Sequence, residues 1–220
     1  MTTLILIAKE PIPGRVKTRL HPAVTFEQAA ELASAAIADT FAAASTLSID
    51  RRVLYFDGTI TPPASTGWDV VPQVEGDLDE RLAAVLDLCD GPTVLIGMDT
   101  PQVTDALLAP MFRAWPEGVD AWFGAASDGG FWCLALAKPS GNLVRGVPMS
   151  RNDTGKIQYD RLRSAGLNVA LLPTLTDVDT IDDAREVAAL APTSLFAQTL
   201  RRITGSAELH ADGFASRSTR

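Results

Sequence analysis

A cluster of positive side chains near the start of the chain is suited to binding an anion. The stretch AKEPIPGRVKTRL, residues 8–20, follows an apolar run and carries four cations: Lys9, Arg15, Lys17 and Arg19. Its two prolines restrict the backbone, and Gly14 permits close approach of a ligand to the backbone. Arg binds phosphate oxygens in bidentate fashion, while Lys acts as a point charge. A solvated basic turn is the alternative, but the position directly after a strand favours a pyrophosphate-binding loop.

Carboxylates follow two strand-like apolar runs, at positions suited to holding a hard metal ion. Asp99 comes directly after PTVLIGM, and Asp179 follows LNVALLP in the piece TDVDTIDD, on the same side as Asp177 if that piece is extended. Mg²⁺ and Mn²⁺ take oxygen ligands and need few protein carboxylates besides phosphate oxygens. We therefore predict that Asp99 and Asp179 hold one ion. A helix cap or turn is the alternative for Asp99, and Asp182 and Asp183 are assigned to the first turn of a helix.

A third polar segment, SDGGFW, contains Asp128, Gly129 and Gly130. A tight turn would explain both glycines without any function. The alternative is that the missing side chains let a ligand approach the backbone closely. Asp128 is then a candidate general base for an acceptor.

These residues must be positioned by a chain in which strand-length apolar runs alternate with helix-period segments. That alternation is typical of a mainly parallel sheet covered by helices. The predicted strands are TLILIA, RRVLYF, WDVVPQV, PTVLIGM, VDAWFGAA, FWCLALA and LNVALLP, with SDGG either a hairpin turn or a wider crossing. Open α/β sheets bind ligands beyond the carboxyl ends of their strands, so the three polar segments are expected at one edge of the sheet.

The same patterns predict one domain. A capping box at Thr25 opens a long Ala-rich helix that ends near Ser45, and the last helix ends near Ile203. We expect a single domain over residues 1–203. The polar, aperiodic remainder, residues 204–220, is predicted to be a flexible tail.

Composition argues against several classes of protein. The chain has 220 residues, a net charge of -8 and 46% apolar residues, and so acidic a balance disfavours an extended nucleic-acid surface. P-loop and dinucleotide-binding glycine motifs do not follow the first strand. Cys89 and Cys133 lie far apart in apolar surroundings, which predicts buried free thiols in a reducing cytoplasm. The first apolar run is too short to span a membrane and lacks signal-peptide features.

The ordered set of motifs resembles a known bacterial family, called DUF2064 or transferase-1, within the GT-A nucleotide-diphosphosugar transferase superfamily. The segments that carry the resemblance are AKEPIPGRVKTRL, QVEGDLDERL, LIGMDTPQV, ASDGGFWCLAL and LLPTLTDVDTIDDA. Of these the first is distinctive, and the similarity spans roughly Leu4 to Leu190. The chain departs from the family pattern at Asp79, Thr100 and Met149, where Gly, Cys and Trp are common.

The resemblance implies a Rossmann-like α/β sandwich with a nucleotide held by its N-terminal half. Motif positions then assign base and phosphate contacts to Ala8, Lys9, Gly14, Arg15, Lys17, Gln73 and Asp77. Asp99 matches the metal-binding acidic position of such enzymes, and Asp179 matches the second metal-side carboxylate of related nucleotidylyltransferases. Asp128, Gly129, Gly130 and Ser150 fall on the acceptor side.

The function expected from the residues and the resemblance together is metal-dependent transfer of a sugar from a nucleoside-diphosphate sugar to a small acceptor. Mg²⁺ or Mn²⁺, together with Arg15 and Lys17, would stabilise charge on the departing diphosphate, with Asp99 and Asp128 also catalytic. Nucleotidyl transfer from a nucleoside triphosphate, with release of pyrophosphate, uses the same groups and stays open. A non-catalytic nucleotide-binding module is the third alternative.

Overall fold

The computed structural model describes residues 1–113 and 115–215, with side chains up to residue 205. Its centre is a seven-stranded sheet in the order β3-β2-β1-β4-β6-β5-β7. The strands are β1 (Thr3–Lys9), β2 (Arg51–Asp57), β3 (Asp69–Pro72), β4 (Thr93–Gly97), β5 (Ala121–Ala125), β6 (Phe131–Leu136) and β7 (Val169–Leu171). β6 runs antiparallel to both of its neighbours, and the other pairings are parallel. The predicted mainly parallel sheet is thus confirmed.

Six α-helices accompany the sheet in the described part of the chain. They are α1 (Phe26–Ser45), α2 (Leu78–Leu86), α3 (Asp105–Phe112), α4 (Thr154–Ser164), α5 (Ile181–Leu190) and α6 (Leu195–Ala215). The capping box predicted for α1 is present, since the Thr25 side chain accepts from the Gln28 backbone and the Gln28 side chain accepts from the Thr25 backbone. α1 ends at Ser45, as the sequence predicts.

The segment SDGG forms a hairpin between two neighbouring strands. β5 and β6 pair antiparallel, with a register shift at Gly124 and Ala125. Because β6 also pairs with β4, the hairpin places the first residues of β6 and the last residues of β4 at the same edge. Of the two alternatives open from the sequence, the hairpin is therefore the one observed.

Alternating side chains of the strands supply two separate cores, one on each face of the sheet. On the first face, Leu4 and Leu6 of β1 pack with α1 and α3. On the second face, Ile5 packs with residues of α2 and α4. A third cluster joins α1, α5 and α6. The period of two along β1 sends successive side chains to opposite faces, so any cleft at the strand ends has two different walls.

The start of α6 is held by a carboxylate on α1. Asp39 accepts hydrogen bonds from the backbone nitrogens of Leu195 and Phe196, both at 2.8 Å. α6 then continues to Ala215, beyond the end near Ile203 expected from the sequence. The predicted tail, residues 204–220, thus begins inside this helix. Residues 216–220 lie outside the described residues, and the limits of the domain stay a prediction.

Candidate active site

A cleft of about 470 Å³ lies at the edge of the sheet where β1, β4 and β5 end. Most of the residues singled out in the sequence meet there. Those that line the cleft are Ala8, Lys9, Arg15, Lys17, Gln73, Asp99, Asp128, Gly130, Ser150 and Asp179. The cleft therefore joins the basic loop, the carboxylates after the strands and the glycine turn, as expected for the carboxyl edge of an α/β sheet.

Lys17 is the most constrained of the cations. Its side chain is only 6% exposed, and its Nζ lies 2.5 Å from Asp99 Oδ1 and 3.9 Å from Asp179 Oδ1. It also donates to the backbone oxygen of Val178. Its φ of 49° is left-handed, a conformation that costs a non-glycine residue about 1 kcal/mol or more and tends to occur at functional sites. The ammonium is thus fixed between the two carboxylates predicted to bind metal.

Lys9 and Arg15 differ from Lys17, because both are exposed and neither forms an ion pair within the described side chains. The loop that carries them is held by Glu10, which accepts from the backbone nitrogens of Thr59 and Ile60 at 2.7 and 3.3 Å. These backbone hydrogen bonds lower the pKa of Glu10. The start of the loop is therefore anchored, and its two positive side chains are free to contact an anion.

Three carboxylates come together beside the ion pair of Lys17 and Asp99. Asp128, Asp177 and Asp179 each offer an oxygen within 4.8 Å of the others. Oδ1 of Asp177 is buried and has no hydrogen-bond partner. Burial and the charges of Asp128 and Asp179 together raise the pKa of Asp177 to about 6, although Lys17 lowers it. An unsatisfied carboxylate oxygen among like charges is suited to a hard divalent cation, so the residues present fit Mg²⁺ or Mn²⁺.

The two aspartates predicted to bind one metal ion have different partners in the structure. Asp179 belongs to the carboxylate cluster, whereas Asp99, about half exposed, is occupied by Lys17. The backbone nitrogen of Val178 donates to the backbone oxygen of Asp99 at 2.9 Å, which brings the two segments together. A metal ion on Asp99 stays a prediction. The sequence places Asp177 on the same side as Asp179 without indicating that it is a ligand, because its buried, unpaired oxygen is visible only in the fold.

Gln73 lies in the cleft wall, but its polar atoms form hydrogen bonds within the protein. Its Nε2 donates to the backbone oxygens of Ala8 and Tyr55, both at 3.0 Å, at the ends of β1 and β2. Its Oε1 accepts from Nη1 of Arg81 at 2.9 Å. Sequence analysis missed Arg81, which looked like one of several charges on a helical segment. Only its place next to the apolar face of α2 hinted at partial burial.

Three of the predicted site residues do not line the cleft. Gly14 is exposed with a φ of 77°, and Asp77 is exposed at the start of α2. Gly129 has a φ of 91°, and a Cβ there would lie 1.9 Å from the backbone oxygen of Asn152. Its lack of a side chain therefore permits the turn to pack against the start of α4. Ligand contacts for Gly14, Asp77 and Gly129 stay predictions.

The acceptor side is formed by the segment before α4. Ser150 has a left-handed φ of 58° and is exposed, next to the half-buried Met149. Arg151, which sequence analysis did not single out, also lines the cleft and pairs with Asp153 at 2.9 Å. Asp79 accepts from the backbone nitrogen of Gly146 at 2.7 Å. The departure at Asp79 thus stabilises the loop that leads into this segment.

A family model described as "Uncharacterized protein conserved in bacteria (DUF2064)" matches residues 29–151, more than half of the chain. The chain belongs to this family. The resemblance seen in the sequence is therefore confirmed. No curated protein sequence matches the chain.

Solved structures show which fold this DUF2064 protein has. A protein of Desulfovibrio desulfuricans G20, provisionally assigned as a nucleotide-diphospho-sugar transferase, has a TM-score of 0.78 at 24% identity, over 99% of this chain and 97% of that one. A cytidylyltransferase of Leptospira borgpetersenii has a TM-score of 0.53 at 11% identity, over 94% and 95%. Glucosyl-3-phosphoglycerate synthase of Mycobacterium tuberculosis, solved with Mn²⁺, UDP and glucosyl-3-phosphoglycerate, has 0.50 at 14%, over 93% and 80%. The fold is that of the GT-A nucleotide-diphosphosugar transferases, as expected.

No helix in the part of this DUF2064 protein that the structure describes combines the length and the apolar character needed to cross a bilayer. Cys89 and Cys133 are buried free thiols, as predicted. Burial raises the pKa of both thiols, which keeps them protonated and unreactive.

Proposed function

We propose that the protein is a metal-dependent glycosyltransferase that moves a sugar from a nucleoside-diphosphate sugar to a small acceptor. The observation that supports this best is the meeting of the basic loop with the cluster of Asp128, Asp177 and Asp179 in one cleft of a GT-A fold. Phosphates and a divalent ion are the ligands that such a combination of cations and carboxylates binds. The structural relatives named above support a nucleotide as substrate.

Asp177 and Asp179 would hold Mg²⁺ or Mn²⁺, with Asp128 at the exposed side of the cluster. When bound, such an ion stabilises negative charge on a departing diphosphate. Lys17 contributes a fixed positive charge beside this position, held there by Asp99. Arg15 and Lys9, being exposed and unpaired, would move onto the phosphates as the nucleotide binds. Preorganised charge of this kind is worth several kcal/mol in a cleft.

Asp128 is the proposed base for the acceptor. Its Oδ1 accepts from the backbone nitrogen of Gly130 at 2.7 Å, which orients the carboxylate and leaves Oδ2 for an acceptor hydroxyl. Asp128→Asn separates this role from metal binding. We expect Asp128→Asn to retain Mn²⁺ affinity within a few-fold and to lose turnover by about 10² or more. An equal loss of Mn²⁺ affinity would assign Asp128 to the ion instead.

Nucleotidyl transfer is the second candidate, favoured by the clustering of three carboxylates, because a multi-carboxylate clamp also suits displacement at phosphorus. The two reactions release different products. The protein is incubated with Mn²⁺ and panels of nucleotide sugars and nucleoside triphosphates. Slow hydrolysis of a nucleotide sugar to nucleoside diphosphate supports glycosyl transfer. Release of pyrophosphate from a triphosphate overturns it.

A non-catalytic module makes a different prediction for the same protein. It would bind nucleotide with no change of affinity on adding Mn²⁺, and none in Asp99→Asn or Asp179→Asn. Calorimetric titration of nucleoside diphosphates with and without Mn²⁺ decides between an enzyme and such a module.

A further inference from the structure

The cleft has two differently built walls. On the first face of the sheet lie Lys17, Asp99 and the carboxylate cluster, above the core that contains Val16, Met98 and Trp132. On the second face the wall is mainly apolar. Its side chains come from β1, β4, α2 and the segments around β6 and α4: Ile7, Leu95, Leu78, Leu82, Phe131 and Met149. We call this second part the α2 chamber.

Arg81 lies in the α2 chamber, next to Leu82 in the sequence of α2. Arg151, in the segment that contains Met149, also lines the cleft, but it is already paired with Asp153 at 2.9 Å. The guanidinium of Arg81 is half-buried and is oriented by the bond from Nη1 to Gln73 Oε1. Gln73 is itself anchored to two strand ends, so the guanidinium is held by the sheet. A cation fixed in this way loses little side-chain entropy when it pairs with an anion.

The charge of Arg81 is uncompensated. Among the side chains described, through residue 205, no carboxylate forms an ion pair with Arg81, and its Nε is buried without any hydrogen-bond partner. Arg19, Arg51, Arg145 and Arg151 all have carboxylate partners. A buried donor left unpaired costs about 1–3 kcal/mol, and the guanidinium of Arg81 lies beside a cleft without a carboxylate partner, so an anionic ligand would compensate its charge.

The chemistry of the α2 chamber favours an organic anion over a diphosphate. A diphosphate needs several cations or a metal ion, and the chamber supplies one guanidinium without a carboxylate partner, that of Arg81, against apolar walls. A single oxyanion matches one guanidinium, and a carbon skeleton matches the side chains of Leu82, Phe131 and Met149. The diphosphate is better served on the other face, by Lys9, Arg15 and Lys17.

We propose that the α2 chamber is a second substrate site that binds an organic acid, whose carboxylate or phosphate monoester pairs with Arg81. If the protein is a glycosyltransferase, this acid is the acceptor, and that assignment rests on the proposed function. The binding of the anion to Arg81 does not. Arg81 is then the residue that selects acceptors with an acidic group over neutral ones.

The test uses fluorine NMR titrations of the full chain with three aromatic probes. para-Fluorobenzoate and para-fluorophenyl phosphate carry the two kinds of oxyanion, and para-fluorobenzamide is their neutral counterpart. The variants are Arg81→Gln, Arg81→Lys, and Arg15→Gln as a matched change on the other wall. Each variant's thermal midpoint is measured first, and Arg81→Lys serves if Arg81→Gln does not fold.

We expect one or both acids to bind the wild type at millimolar concentration and more tightly than the amide. Arg81→Gln should weaken acid binding about tenfold or more, as befits a lost charge-assisted hydrogen bond, with Arg81→Lys in between. Arg15→Gln should change the affinity for the acids by less than about twofold. The relative affinities of the two acids report whether the natural anion is a carboxylate or a phosphate.

Titration of nucleoside diphosphates into the same variants separates this inference from the proposed function. If acids bind through Arg81 but no nucleotide binds, the inference stands and the transferase proposal fails. If nucleotide binding falls in Arg81→Gln while the acids bind no better than the amide, Arg81 belongs to the diphosphate site and the inference is overturned. Absence of acid binding in wild type also overturns it.

Discussion

At the scale of single residues, the site is governed by charges that are only partly compensated. Lys17 is neutralised by Asp99, whereas Asp177 has a buried oxygen without a partner and lies among two further carboxylates. Arg81 has no carboxylate partner among the described side chains. Such groups cost stability and persist where binding requires them.

Asp177→Asn should stabilise the protein in the absence of divalent ions at pH 7.5. The folded-state pKa of Asp177, about 6, lies above its usual value of 3.8, so the folded protein favours the protonated form. The free-energy cost of keeping Asp177 ionised in the folded protein is absent below about pH 4 and complete above about pH 6. With allowance for its partial exposure, we expect a gain of about 1–2 kcal/mol at pH 7.5 and little at pH 4.

Urea unfolding of wild type and Asp177→Asn, in a chelator at both pH values, measures this difference. The same variant should lose the stabilisation that Mn²⁺ confers on wild type. Equal or lower stability of Asp177→Asn at pH 7.5 would contradict the assigned cost of the buried carboxylate.

Asp99→Asn should destabilise the protein as well as reduce its activity. The side chain of Lys17 is 6% exposed, and removing the charge of Asp99 leaves its ammonium with the Val178 carbonyl and a carboxylate 3.9 Å away. We expect a loss of about 1–3 kcal/mol in the free energy of unfolding. Asp57→Asn, an exposed carboxylate at the end of β2, is the control and should change it by less than about 0.5 kcal/mol. A loss in Asp99→Asn no larger than that of the control would show that the ion pair does not stabilise the fold.

At the scale of elements, the turn between β5 and β6 and the start of α4 form one unit. The backbone nitrogen of Gly155 donates to the backbone oxygen of Gly129 at 2.7 Å, and a Cβ on Gly155 would lie 2.2 Å from the Gly130 backbone oxygen. The close approach of the two backbones positions Asp128 on one side and the segment with Ser150 on the other. The acceptor side of the cleft thus depends on glycines that do not all touch the cleft.

Gly129→Ala should disrupt this unit. A Cβ at 1.9 Å from the backbone oxygen of Asn152 forces α4 or the turn to move, in addition to the strain of a φ of 91°. We expect the free energy of unfolding to fall by about 2 kcal/mol or more, and turnover to fall as well, because Asp128, the proposed base, moves with the turn. Gly146→Ala has a similar φ of 79° and open space around it, so it should lose only about 1 kcal/mol. Equal losses in the two variants, measured by thermal and urea unfolding, would show that the contact with Asn152 is unimportant.

At the scale of the whole molecule, the cleft joins residues from both ends of the chain, so ligand binding should stabilise the entire fold. Lys17 and Asp179 come from opposite termini, and both line the cleft. Ligands that bind only the folded protein add about 2.7 kcal/mol at a hundred times their dissociation constant. A metal and a diphosphate that contact one another should stabilise it by more than their separate effects.

We therefore expect Mn²⁺ and a nucleoside diphosphate together to raise the thermal midpoint by more than the sum of their separate shifts. Asp179→Asn should remove this excess while leaving a shift from nucleotide alone, since the basic loop remains. A thermal-shift matrix of four nucleotides with and without Mn²⁺ measures it. Purely additive shifts in wild type would contradict a shared site for metal and nucleotide.

Local sequence patterns are enough to predict the strands and helices and the edge of the sheet at which the polar residues gather. Local signals do this: the capping box at Thr25, the apolar run of strand length that forms β1, and the acidic residues directly after strand-like runs. The carboxyl ends of parallel strands share one edge, so Asp99 and Asp179 were expected near the basic loop without knowledge of strand order. The resemblance to DUF2064 and the GT-A fold rested on motifs of the same local kind.

Which of these groups come into contact depends on the packing of the folded chain. The pairing of Lys17 with Asp99, the entry of Asp128 into the carboxylate cluster, and the uncompensated charge of Arg81 all depend on contacts between segments distant in the chain. The hairpin inserts β6 between β4 and β5, and that order sets which strand ends are neighbours. The partner and the burial of each charged side chain depend on packing between distant segments, whereas periodicity and helix caps depend on neighbouring residues. The sequence patterns could therefore indicate the cleft but not the ion pairs and contacts within it.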